Sequence, residues 1–305
     1  MIFGGNMKKY LFLLIFIILP AQYAIGETVQ INSDEQFQFA EYFFSKGEYA
    51  KAIAEYERFV YFFSKDEKIP QAEYQIGMSY FKNGQFQEAA RAFQKVIEVY
   101  PDMVESYFKL SDAYLKLRQP DEAISVLEYL IKLIKNQRIR DRASYAIGWI
   151  YVEKASWENA RLSFQNISEQ NKEKYQSDRI YAGLDKAGSI EHKNPAAAGW
   201  LSVIPGAGFL YCERYQDALT AFLLNAGLMI AAYESFKDDN YALGSVISFV
   251  ELGFYAGNIY GAVGSAHKYN KAKTSEFIEN LKANTKVSLS MNKDMGMMMA
   301  FQVSW

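Results

Sequence analysis

The residues that most often carry out chemistry are scarce in this sequence. The chain of 305 residues has one cysteine, Cys212, and two histidines, His192 and His267. One cysteine cannot form an internal disulfide bond, and so few Cys and His residues exclude a zinc site of the usual composition within one chain. The sequence also lacks the G-x-S-x-G, G-x-x-x-x-G-K, H-E-x-x-H and C-x-x-C motifs, which mark common catalytic, nucleotide and metal sites. We therefore predict a protein without catalytic activity, bound metal or cofactor.

Glu251 is the strongest single candidate for a functional side chain. It is the only charged residue in the run 240–266, and an ionisable residue in an apolar helix is a functional candidate by default. His267 lies 16 residues away, about 24 Å along an unbroken helix, which is too far for a direct contact. We interpret Glu251 as hydrogen-bonded to Asn225 or to tyrosine hydroxyls of a neighbouring helix, so that Glu251→Gln would be nearly silent. The alternatives are an ion pair with Lys237 and an enzyme that uses Glu251.

Two further kinds of binding are excluded by composition and context. The net charge is −2 and the pI is about 5.9, so no basic excess points to nucleic acid. The segment 261–265 is rich in glycine, as phosphate-binding loops are, but it lies within an apolar run and no predicted strand precedes it. A phosphate-binding loop is therefore not expected there.

The aromatic residues, which make up 16% of the chain, fall largely into an internal repeat. Four segments align on a small residue, at spacings of 37, 34 and 37 residues. In each segment an aromatic residue follows three positions later, and a second small residue lies in the next predicted helix. Small residues let two helices approach closely, and the aromatic side chains fill the space between them. The first small residues are Ala40, Gly77, Ser111 and Gly148, the aromatic ones are Phe43, Tyr80, Tyr114 and Tyr151, and the second small ones are Ala52, Ala89, Ala123 and Ala160.

Helix ends within the repeat carry recognisable signals. Gly47 and Gly84 follow the first helix of the first two units and can end it in the left-handed conformation of a C-cap. Arg118 and Ala155 take the equivalent positions in the third and fourth units, so those two turns depart from the pattern. Pro101 ends the second helix of the second unit.

These residues resemble tetratricopeptide repeats over roughly residues 33 to 170. The resemblance implies an all-α superhelix of about four helix pairs, closed by a polar capping helix at about 172–189. It also implies a concave groove that binds a peptide or helix of a protein partner. The alternative is that several groove residues pack against neighbouring helices instead. The residues at the groove positions are Phe37, Phe44, Tyr74, Met78, Phe81, Phe108, Leu115, Tyr145 and Trp149.

One stretch of the repeats, residues 72–102, is similar to those of extracytoplasmic proteins of the bacterial cell envelope. These proteins include the outer-membrane assembly lipoproteins and the Tol–Pal coordinating protein. The resemblance is to the type of repeat, and it implies an adaptor or scaffold that binds other proteins.

The N-terminal residues predict export. Two lysines precede a short apolar run, and small residues near Gly26 offer a cleavage site, which we place after that residue. We expect residues 1–26 to be a signal peptide and the repeats to lie in the periplasm. An uncleaved anchor is the alternative, although the run is short for a span of about 20 residues. Because Cys212 is the only cysteine, lipidation at a new N-terminal cysteine is excluded.

The second half of the chain is apolar and rich in glycine, which predicts helices associated with a membrane. Its two nearly uncharged runs are 218–233 and 240–266. Gly253, Gly257 and Gly261 lie at four-residue steps, so one helix face is bare and another helix can pack closely on it. Tyrosines at the ends of the runs match an interfacial aromatic belt. The first run has only 16 residues, short of the ~20 that span a bilayer, and a buried helix pair in a soluble domain is the alternative.

Two signals bear on the membrane topology of this region, and they agree only if the number of crossings is odd. Lys268, Lys271 and Lys273 follow the second run, and the positive-inside preference would place them in the cytoplasm. A cleaved signal peptide places the repeats on the other side. We therefore expect an odd number of crossings, with the proline-broken segment 196–211 as a re-entrant or third span. Its part 205–211 resembles small bacterial two-helix membrane domains.

Residues 287–305 alternate between large apolar and small or polar side chains, which predicts a C-terminal β-hairpin with its turn at 292–294. The terminal Trp305 resembles the C-terminal sorting signal of outer-membrane barrels, although a barrel needs about eight strands. We expect these strands to pair with another sheet or with a second copy of the chain, or to lie on a membrane. Docking on the helical domain is the alternative.

These observations divide the chain into four parts. We expect a signal peptide (1–26), a repeat domain (33–190), an apolar helical module associated with a membrane (195–270), and a linker helix with the β-hairpin (271–305). The predicted function is a non-enzymatic adaptor of the bacterial envelope, which binds a protein partner in its groove and is anchored through its C-terminal module. The alternative is an integral membrane component of a transport or envelope-biogenesis assembly, in which the glycine-rich helix pair is the working part.

Overall fold

A computed structural model describes residues 30–285, which form fourteen α-helices and one short 3₁₀ turn. No strand occurs within this range. The predicted signal peptide and the predicted C-terminal β-hairpin lie outside the described residues and stay predictions. The chain divides into two compact units, and the boundary along the chain lies between Val126 and Leu127.

The helices are α1 (Ser33–Ser45), α2 (Tyr49–Phe62), α3 (Ile69–Lys82), α4 (Phe86–Val99), α5 (Val104–Lys116), α6 (Pro120–Leu133), α7 (Gln137–Glu153), α8 (Trp157–Gln165), α9 (Glu169–Lys172), α10 (Ser177–Leu184), α11 (Pro195–Leu201), α12 (Ala207–Tyr211), α13 (Tyr215–Lys237) and α14 (Tyr241–Asn284), with the 3₁₀ turn at Ala187–Ser189.

The first unit contains α1 to α5 and the first half of α6. Successive helices pack on each other in the order of the chain. One buried cluster joins α1, α2 and α3 around Tyr56 and Phe59, and a second joins α3, α4 and α5 around Phe93 and Leu110. The all-α repeat architecture that the sequence predicts is thus confirmed for this part of the chain.

Close helix approach at the small residues of the repeat is confirmed at two glycines. A Cβ atom added to Gly77 would lie 2.6 Å from the ring of Phe93, and one added to Gly148 would lie 2.6 Å from the ring of Phe164. Both distances are far below van der Waals contact, so even alanine would require the ring or the helix to shift. Each glycine therefore fixes the separation of one helix pair.

All four repeat pairs use the same turn, whether or not it contains glycine. Gly47 and Gly84 have φ values of +77° and +78°, and Arg118 and Ala155 have φ values of 60° and 52° at the equivalent positions. In every pair the following N–H bonds to the carbonyl five residues back, at 2.9–3.0 Å. The left-handed conformation costs a residue with a Cβ atom roughly 1–2 kcal/mol. The third and fourth turns therefore carry strain that glycine avoids in the first two.

Arg118→Gly and Ala155→Gly are expected to stabilise the protein by about 0.5 kcal/mol each. Relief of the left-handed strain, about 1–2 kcal/mol, exceeds the extra entropy that glycine gives the unfolded chain, about 0.4–1 kcal/mol. Urea unfolding followed by circular dichroism measures the change. Gly84→Ala is the matched control and should lose about 1 kcal/mol. A loss of stability in both glycine variants would contradict the assignment of strain to these turns.

The end of the repeat stack differs from the prediction. A single capping helix was expected at about 172–189, but the structure has the short helices α9 and α10 and a 3₁₀ turn there. The last turns of α14 pack against α8 and α10 through Phe277, Ile278 and Leu281. The ring of Phe277 meets Trp157 edge-on at 5.2 Å. The fourth repeat pair is thus covered both by the local helix α10 and by the end of the distant helix α14.

Helix α10 and the end of α14 form a pair that resembles a fifth repeat unit. Gly183 follows Gly148 by 35 residues, which continues the spacing of the small residues. A Cβ atom added to Gly183 would overlap the side chain of Leu281, just as Phe164 lies against Gly148. The partner of α10 comes from 98 residues further along the chain, so the repeat period alone could not predict it.

Helix α14 is 44 residues long and has no break. Residues 271–284, expected to form a separate linker helix, continue the apolar run directly. Its first part packs along α13, which a turn at 238–240 joins to it, and its last part packs on α8 and α10. One helix therefore belongs to both the apolar module and the last repeat pairs.

Candidate functional site: the repeat surface and an apolar helical hairpin

In the first unit, the predicted groove residues lie on the first helix of each repeat pair, but none is freely exposed. Phe108 is only 4% exposed, so it belongs to the interior and offers almost no surface. Phe37 meets the ring of Tyr56 at 5.7 Å, and Tyr74 meets that of Phe93 at 5.7 Å. These side chains pack the core and also form part of the surface. The partly buried members of the set are Phe37, Phe44, Tyr74, Met78, Phe81 and Leu115.

In the second unit, the predicted residues Tyr145 and Trp149 lie on α7 within an aromatic cluster. The ring centroids of Tyr145 and Tyr175 are 4.6 Å apart, and those of Trp149 and Phe164 are 5.8 Å apart. Both predicted residues keep some exposure. Burial raises the pKa of Tyr175 to about 12. The cluster offers rigid aromatic groups, which are typical anchors of a protein interface.

The most exposed aromatic side chains of the first unit lie outside the predicted groove. Tyr61 and Phe62, at the end of α2, are 79% and 68% exposed, and their ring centroids are 5.0 Å apart. Phe39 and Tyr42 on α1 are about half exposed. The run of three aromatic residues at 61–63 was the signal that could have found the first pair. Exposed aromatic groups of this size mark a second candidate contact surface.

Two carboxylates share the first helices of the repeat pairs with these aromatic rings. Glu41 on α1 accepts hydrogen bonds from the Tyr56 hydroxyl at 2.5 Å and from the Gln75 amide at 2.9 Å. Burial and the bond to Glu41 raise the pKa of Tyr56. Asp112 on α5 is buried and pairs with Lys109 at 3.3 Å. Glu41 and Asp112 thus occupy the ninth position of their repeat units. Met78 and Trp149 occupy the same position in the other two units.

Helices α13 and α14 form a hairpin whose buried seam consists of small and polar residues. The seam residues recur every seven positions on both helices, the pattern of two helices that cross at about 20°. Close packing of small residues with a few polar ones is typical of helix pairs in membranes. The buried residues at this spacing are Ala218, Asn225 and Ala232 on α13, and Gly244, Glu251, Asn258 and Ser265 on α14, of which Asn258 bonds to the segment with α11 and α12.

The outer surface of the hairpin is apolar along most of its length. Both helices are long and apolar enough to cross a membrane, and only 11% and 17% of their apolar windows are buried. Helix α13, with 23 residues, is about 34 Å long, close to the ~30 Å hydrocarbon core of a bilayer. The exposed large side chains, each at least 39% exposed, include Leu219, Phe222, Leu223, Leu224, Met229 and Ile230 on α13, and Leu243, Val246, Phe249, Val250, Leu252, Phe254 and Tyr260 on α14.

Glu251 is buried, but the predicted hydrogen bond to Asn225 is wrong. Glu251 is 7% exposed, and neither carboxylate oxygen has a partner among the described residues. Asn225 donates to the carbonyl of Ala221 on its own helix at 2.6 Å, and its Oδ1 also lacks a partner in this part of the chain. Lys237 pairs with Glu234 at 3.3 Å, so the ion pair considered for Glu251 does not form either.

The three glycines Gly253, Gly257 and Gly261 do not share one role. A Cβ atom added to Gly261 would lie 2.7 Å from the ring of Phe209. The lack of a side chain at Gly261 therefore allows α12 to pack against α14. Cβ atoms added to Gly253 and Gly257 would meet nothing within 4 Å. Within residues 30–285, close packing at this glycine face is therefore found at Gly261 alone.

A polar cluster surrounds Lys193 at the open end of the hairpin, opposite its turn. The Lys193 ammonium lies 2.8 Å from Glu191 and 3.2 Å from Glu213. It also lies over the rings of Tyr211 and Tyr269, at 5.4 and 5.0 Å. Hydrogen bonds to Glu191 and Glu213 raise the pKa of Lys193. Charged groups and tyrosines thus meet where the apolar surface ends.

The segment that contains α11 and α12 runs along one side of α14 and then turns back along that same side. The Asn270 side chain bonds the backbone N–H and C=O of Lys193, at 2.7 and 2.8 Å. Further along α14, Asn258 accepts from the Gly206 N–H at 3.1 Å and donates to the Ser202 carbonyl at 2.8 Å. The two asparagines are 12 residues apart, about 18 Å along the helix. Helices α11 and α12, with seven and five residues, therefore lie along one side of α14.

The single thiol has an interior position in this module. Cys212 is buried, and its Sγ lies 3.7 Å from the carbonyl oxygen of Ala262. Burial raises the pKa of the thiol, which lowers its reactivity. Across the described range 30–285, no group of three or more His, Cys, Asp or Glu side chains could hold a metal ion.

Comparison with known proteins identifies the repeats. A family model described as tetratricopeptide repeat matches residues 74–136. MamA is 26% identical, over 48% of this chain and 81% of MamA, with a TM-score of 0.40. A tetratricopeptide repeat protein from Parabacteroides merdae is 18% identical, over 82% and 98% of the two chains, with a TM-score of 0.45. YrrB, described as a TPR protein with an unusual peptide-binding site, is 22% identical, over 52% and 78%, with a TM-score of 0.38. No curated protein is similar enough to count as a relative.

Proposed function

We propose that this chain, which contains tetratricopeptide repeats, is a protein-interaction scaffold anchored in a membrane of the bacterial envelope by its helical hairpin. Tetratricopeptide repeats are protein-interaction modules that generally have no catalytic activity. One observation carries the anchoring: the hairpin has small and polar residues in its seam and large apolar side chains on its outside. Water is an unfavourable surrounding for such a surface, and lipid is a favourable one.

Location in the periplasm is part of the same proposal. The pattern at residues 1–26 supports export by a signal peptide, and the stretch 72–102 is similar to repeats of envelope proteins. Mass spectrometry of the N-terminal peptide of the mature protein tests cleavage after Gly26. An N-terminal peptide that begins at Met1 or Met7 would contradict export by a cleaved signal.

The hairpin geometry supports two membrane crossings in place of the odd number expected from the sequence. Helix α14 runs from the seam directly into the contacts with α8 and α10. Both ends of the hairpin then lie on the side of the fourth repeat pair, and the turn at 238–240 lies on the other. Lys268, Lys271 and Lys273 fall on the same side as the repeats. In the inner membrane, export would place these lysines in the periplasm, whereas the positive-inside preference would place them in the cytoplasm.

Carbonate extraction followed by cysteine labelling tests anchoring and topology. The chain has one cysteine, so Cys212→Ser gives a background for Asp238→Cys in the turn and Lys271→Cys at the open end. We expect the protein to stay in the membrane pellet, and an impermeant maleimide to label the two positions from opposite sides of sealed vesicles. Release by carbonate would contradict anchoring. Labelling of both positions from one side would contradict two crossings alone.

The partner is proposed to be a peptide or helix that lies along the groove positions of the first unit. Tyr74→Ala combined with Phe81→Ala is expected to weaken binding at least tenfold, because aromatic anchors each contribute about 1–2 kcal/mol or more. Crosslinking with mass spectrometry first identifies the partner, and titration then measures its affinity. Since both rings also contact the core, helicity must be shown to persist.

The matched control for the groove is the exposed pair Tyr61→Ala and Phe62→Ala. These side chains are large and aromatic too, but they lie at the end of α2 and outside the groove positions. Unchanged affinity in this control, with loss in the groove variant, supports the groove. The reverse result would indicate that the partner binds at the end of α2.

A second candidate function is an integral component of a transport or biogenesis assembly. The observation that favours it is the pair of buried polar side chains in the seam, Glu251 and Asn225, whose oxygens lack partners among the described residues. Because no hydrogen bond would be lost, Glu251→Gln is expected to leave thermal stability unchanged or slightly raised. Loss of envelope integrity in a stable, membrane-bound Glu251→Gln protein would favour this second function.

A further inference from the structure

One stretch of the second unit, residues 132–142, concentrates positive charge. It contains five lysines and arginines and a single carboxylate, Asp141, in a chain whose net charge is −2. That carboxylate is buried and accepts hydrogen bonds from the neutral groups of Gln137, Ser168 and Asn171. Its charge is therefore directed into the interior, whereas most of the cations lie on the surface.

Four of these cations form an exposed surface that we call the basic patch. None of the four has an ion pair, a hydrogen bond or an aromatic contact with another side chain in the part of the chain that the structure describes. Glu128, one turn before the patch on α6, does not pair with it either. On and after α9, Glu169 pairs with Lys172, and Glu173 is followed by Lys174. The patch therefore keeps a net positive charge. Its residues are Lys132, Lys135, Arg138 and Arg140.

Arg138 and Arg140 lie in a helical turn that the first helices of the other repeat pairs lack. Helices α1, α3 and α5 begin seven or eight residues before the first small residue of their unit, whereas α7 begins eleven residues before Gly148. The first turn of α7 has no acidic residue, although anions and not cations are favoured at the N-terminal end of the helix macrodipole. The stability of the helix therefore does not explain why two arginines lie there.

Aromatic side chains continue from the basic patch along the same face of α7. Arg138, Tyr145 and Trp149 follow one another at intervals of seven and four residues, which places them along one helix face. Tyr145 and Trp149 keep some exposure, and both rest on the rings of the aromatic cluster beneath them. Leu133, between the cations of the patch, is 43% exposed. A segment that complements this surface combines acidic side chains with apolar ones.

We propose that the basic patch and the aromatic face of α7 bind an acidic segment of a partner protein. Carboxylates of the segment pair with Arg138 and Arg140, because a guanidinium group holds a carboxylate by two parallel hydrogen bonds. Apolar side chains of the segment lie on Tyr145 and Trp149, which act as rigid anchors. This inference rests on the proposed scaffold function and adds the chemistry of a partner to it. Its surface is on α7 and not at the groove positions of the first unit.

The experiment titrates the full chain, in detergent, with two fluorescent synthetic peptides and follows their anisotropy. One peptide alternates pairs of glutamates with single phenylalanines, and the other has glutamine in place of every glutamate. We expect the glutamate peptide to bind at least about tenfold more tightly, and added salt to remove most of this difference. Arg138→Glu combined with Arg140→Glu should lower the affinity for the glutamate peptide about tenfold, because the variant repels the carboxylates that the patch attracts.

The matched control reverses two other exposed cations, Lys65→Glu combined with Arg91→Glu. It changes the net charge by the same amount, and neither lysine nor arginine has an ion pair with any residue in the range 30–285. The control should leave the affinity unchanged. The Arg138→Glu and Arg140→Glu variant should keep or raise the thermal stability, since glutamates in a first turn complement the macrodipole. Its loss of binding would then not be a loss of fold.

Four results would overturn this proposal. The first two are equal binding of the two peptides and equal effects of the two charge reversals. The third is a DNA duplex that binds more tightly than the glutamate peptide and depends on the same arginines, which would assign the patch to nucleic acid. The fourth is a loss of stability in the Arg138→Glu and Arg140→Glu variant, which would give the arginines a structural role. None of these results bears on Tyr74 and Phe81, so the groove of the first unit is tested separately.

Discussion

Replacing Leu223 and Leu252 together with glutamate is expected to release the protein from membranes. Both side chains lie on the outer surface of the hairpin, at 60% and 66% exposure, so neither substitution disturbs the seam. A charged residue near the centre of a transmembrane helix costs about 3 kcal/mol in insertion experiments, and the pair therefore costs about 6 kcal/mol. Carbonate extraction should move the variant from the pellet to the supernatant, or the protein should fail to accumulate in the membrane.

The matched control is Leu162→Glu on α8. This leucine is half exposed and has the same chemistry, but it lies in the repeat stack and outside the hairpin. It should leave the protein in the pellet. If the double variant stays in the pellet as the control does, the outer surface of the hairpin does not lie in lipid and the anchoring proposal is wrong.

The repeats were predictable because their determinants are local. The small residue at Gly77 or Gly148 and the aromatic residue that packs on it lie 16 positions apart, within one helix pair. The same turn also forms at Arg118 without glycine, because the packing of the two helices outweighs a strain of about 1–2 kcal/mol. Local patterns of this kind fix the architecture even where one residue of the pattern is missing.

The groove and the end of the stack were less predictable, since they depend on neighbours distant in sequence. Phe108 has the repeat position of a groove residue, but the surrounding helices bury it. The partner of Gly183 is Leu281, supplied by α14 from another part of the chain. The buried seam of the hairpin, which includes Asn225 and Glu251, is not the glycine face that the sequence predicted, because burial depends on how α13 and α14 pair.

Helix α14 is shared by the helical hairpin and the last repeat pairs. Its seam residues pack on α13, and Phe277 and Leu281 pack on the last repeat pairs. The helix runs through both sets of contacts without a break.

The second large effect is expected at Asp141, a buried carboxylate that holds α7 to the start of α9. It accepts hydrogen bonds from the Ser168 N–H at 3.0 Å, the Asn171 amide at 2.6 Å and the Gln137 amide at 2.8 Å. Asp141→Ala would leave these donors without their acceptor in the interior and should cost about 3–5 kcal/mol of unfolding free energy. Asp185→Ala removes an exposed carboxylate paired with Arg161 and should cost less than about 1 kcal/mol.

The pH dependence of stability distinguishes a role of the Asp141 charge from simple packing. Burial alone would raise the pKa of Asp141, but hydrogen bonds from Ser168, Asn171 and Gln137 to the ionised form hold this pKa below its usual range. A lowered folded-state pKa stabilises the protein above the unfolded-state value of about 3.9, and the stabilisation is lost as the pH falls through the folded-state pKa. Urea unfolding between pH 7 and pH 3 should therefore show a steeper acid loss in the unaltered protein than in Asp141→Asn. Parallel curves for the two proteins would mean that the hydrogen bonds do not depend on the charge of Asp141.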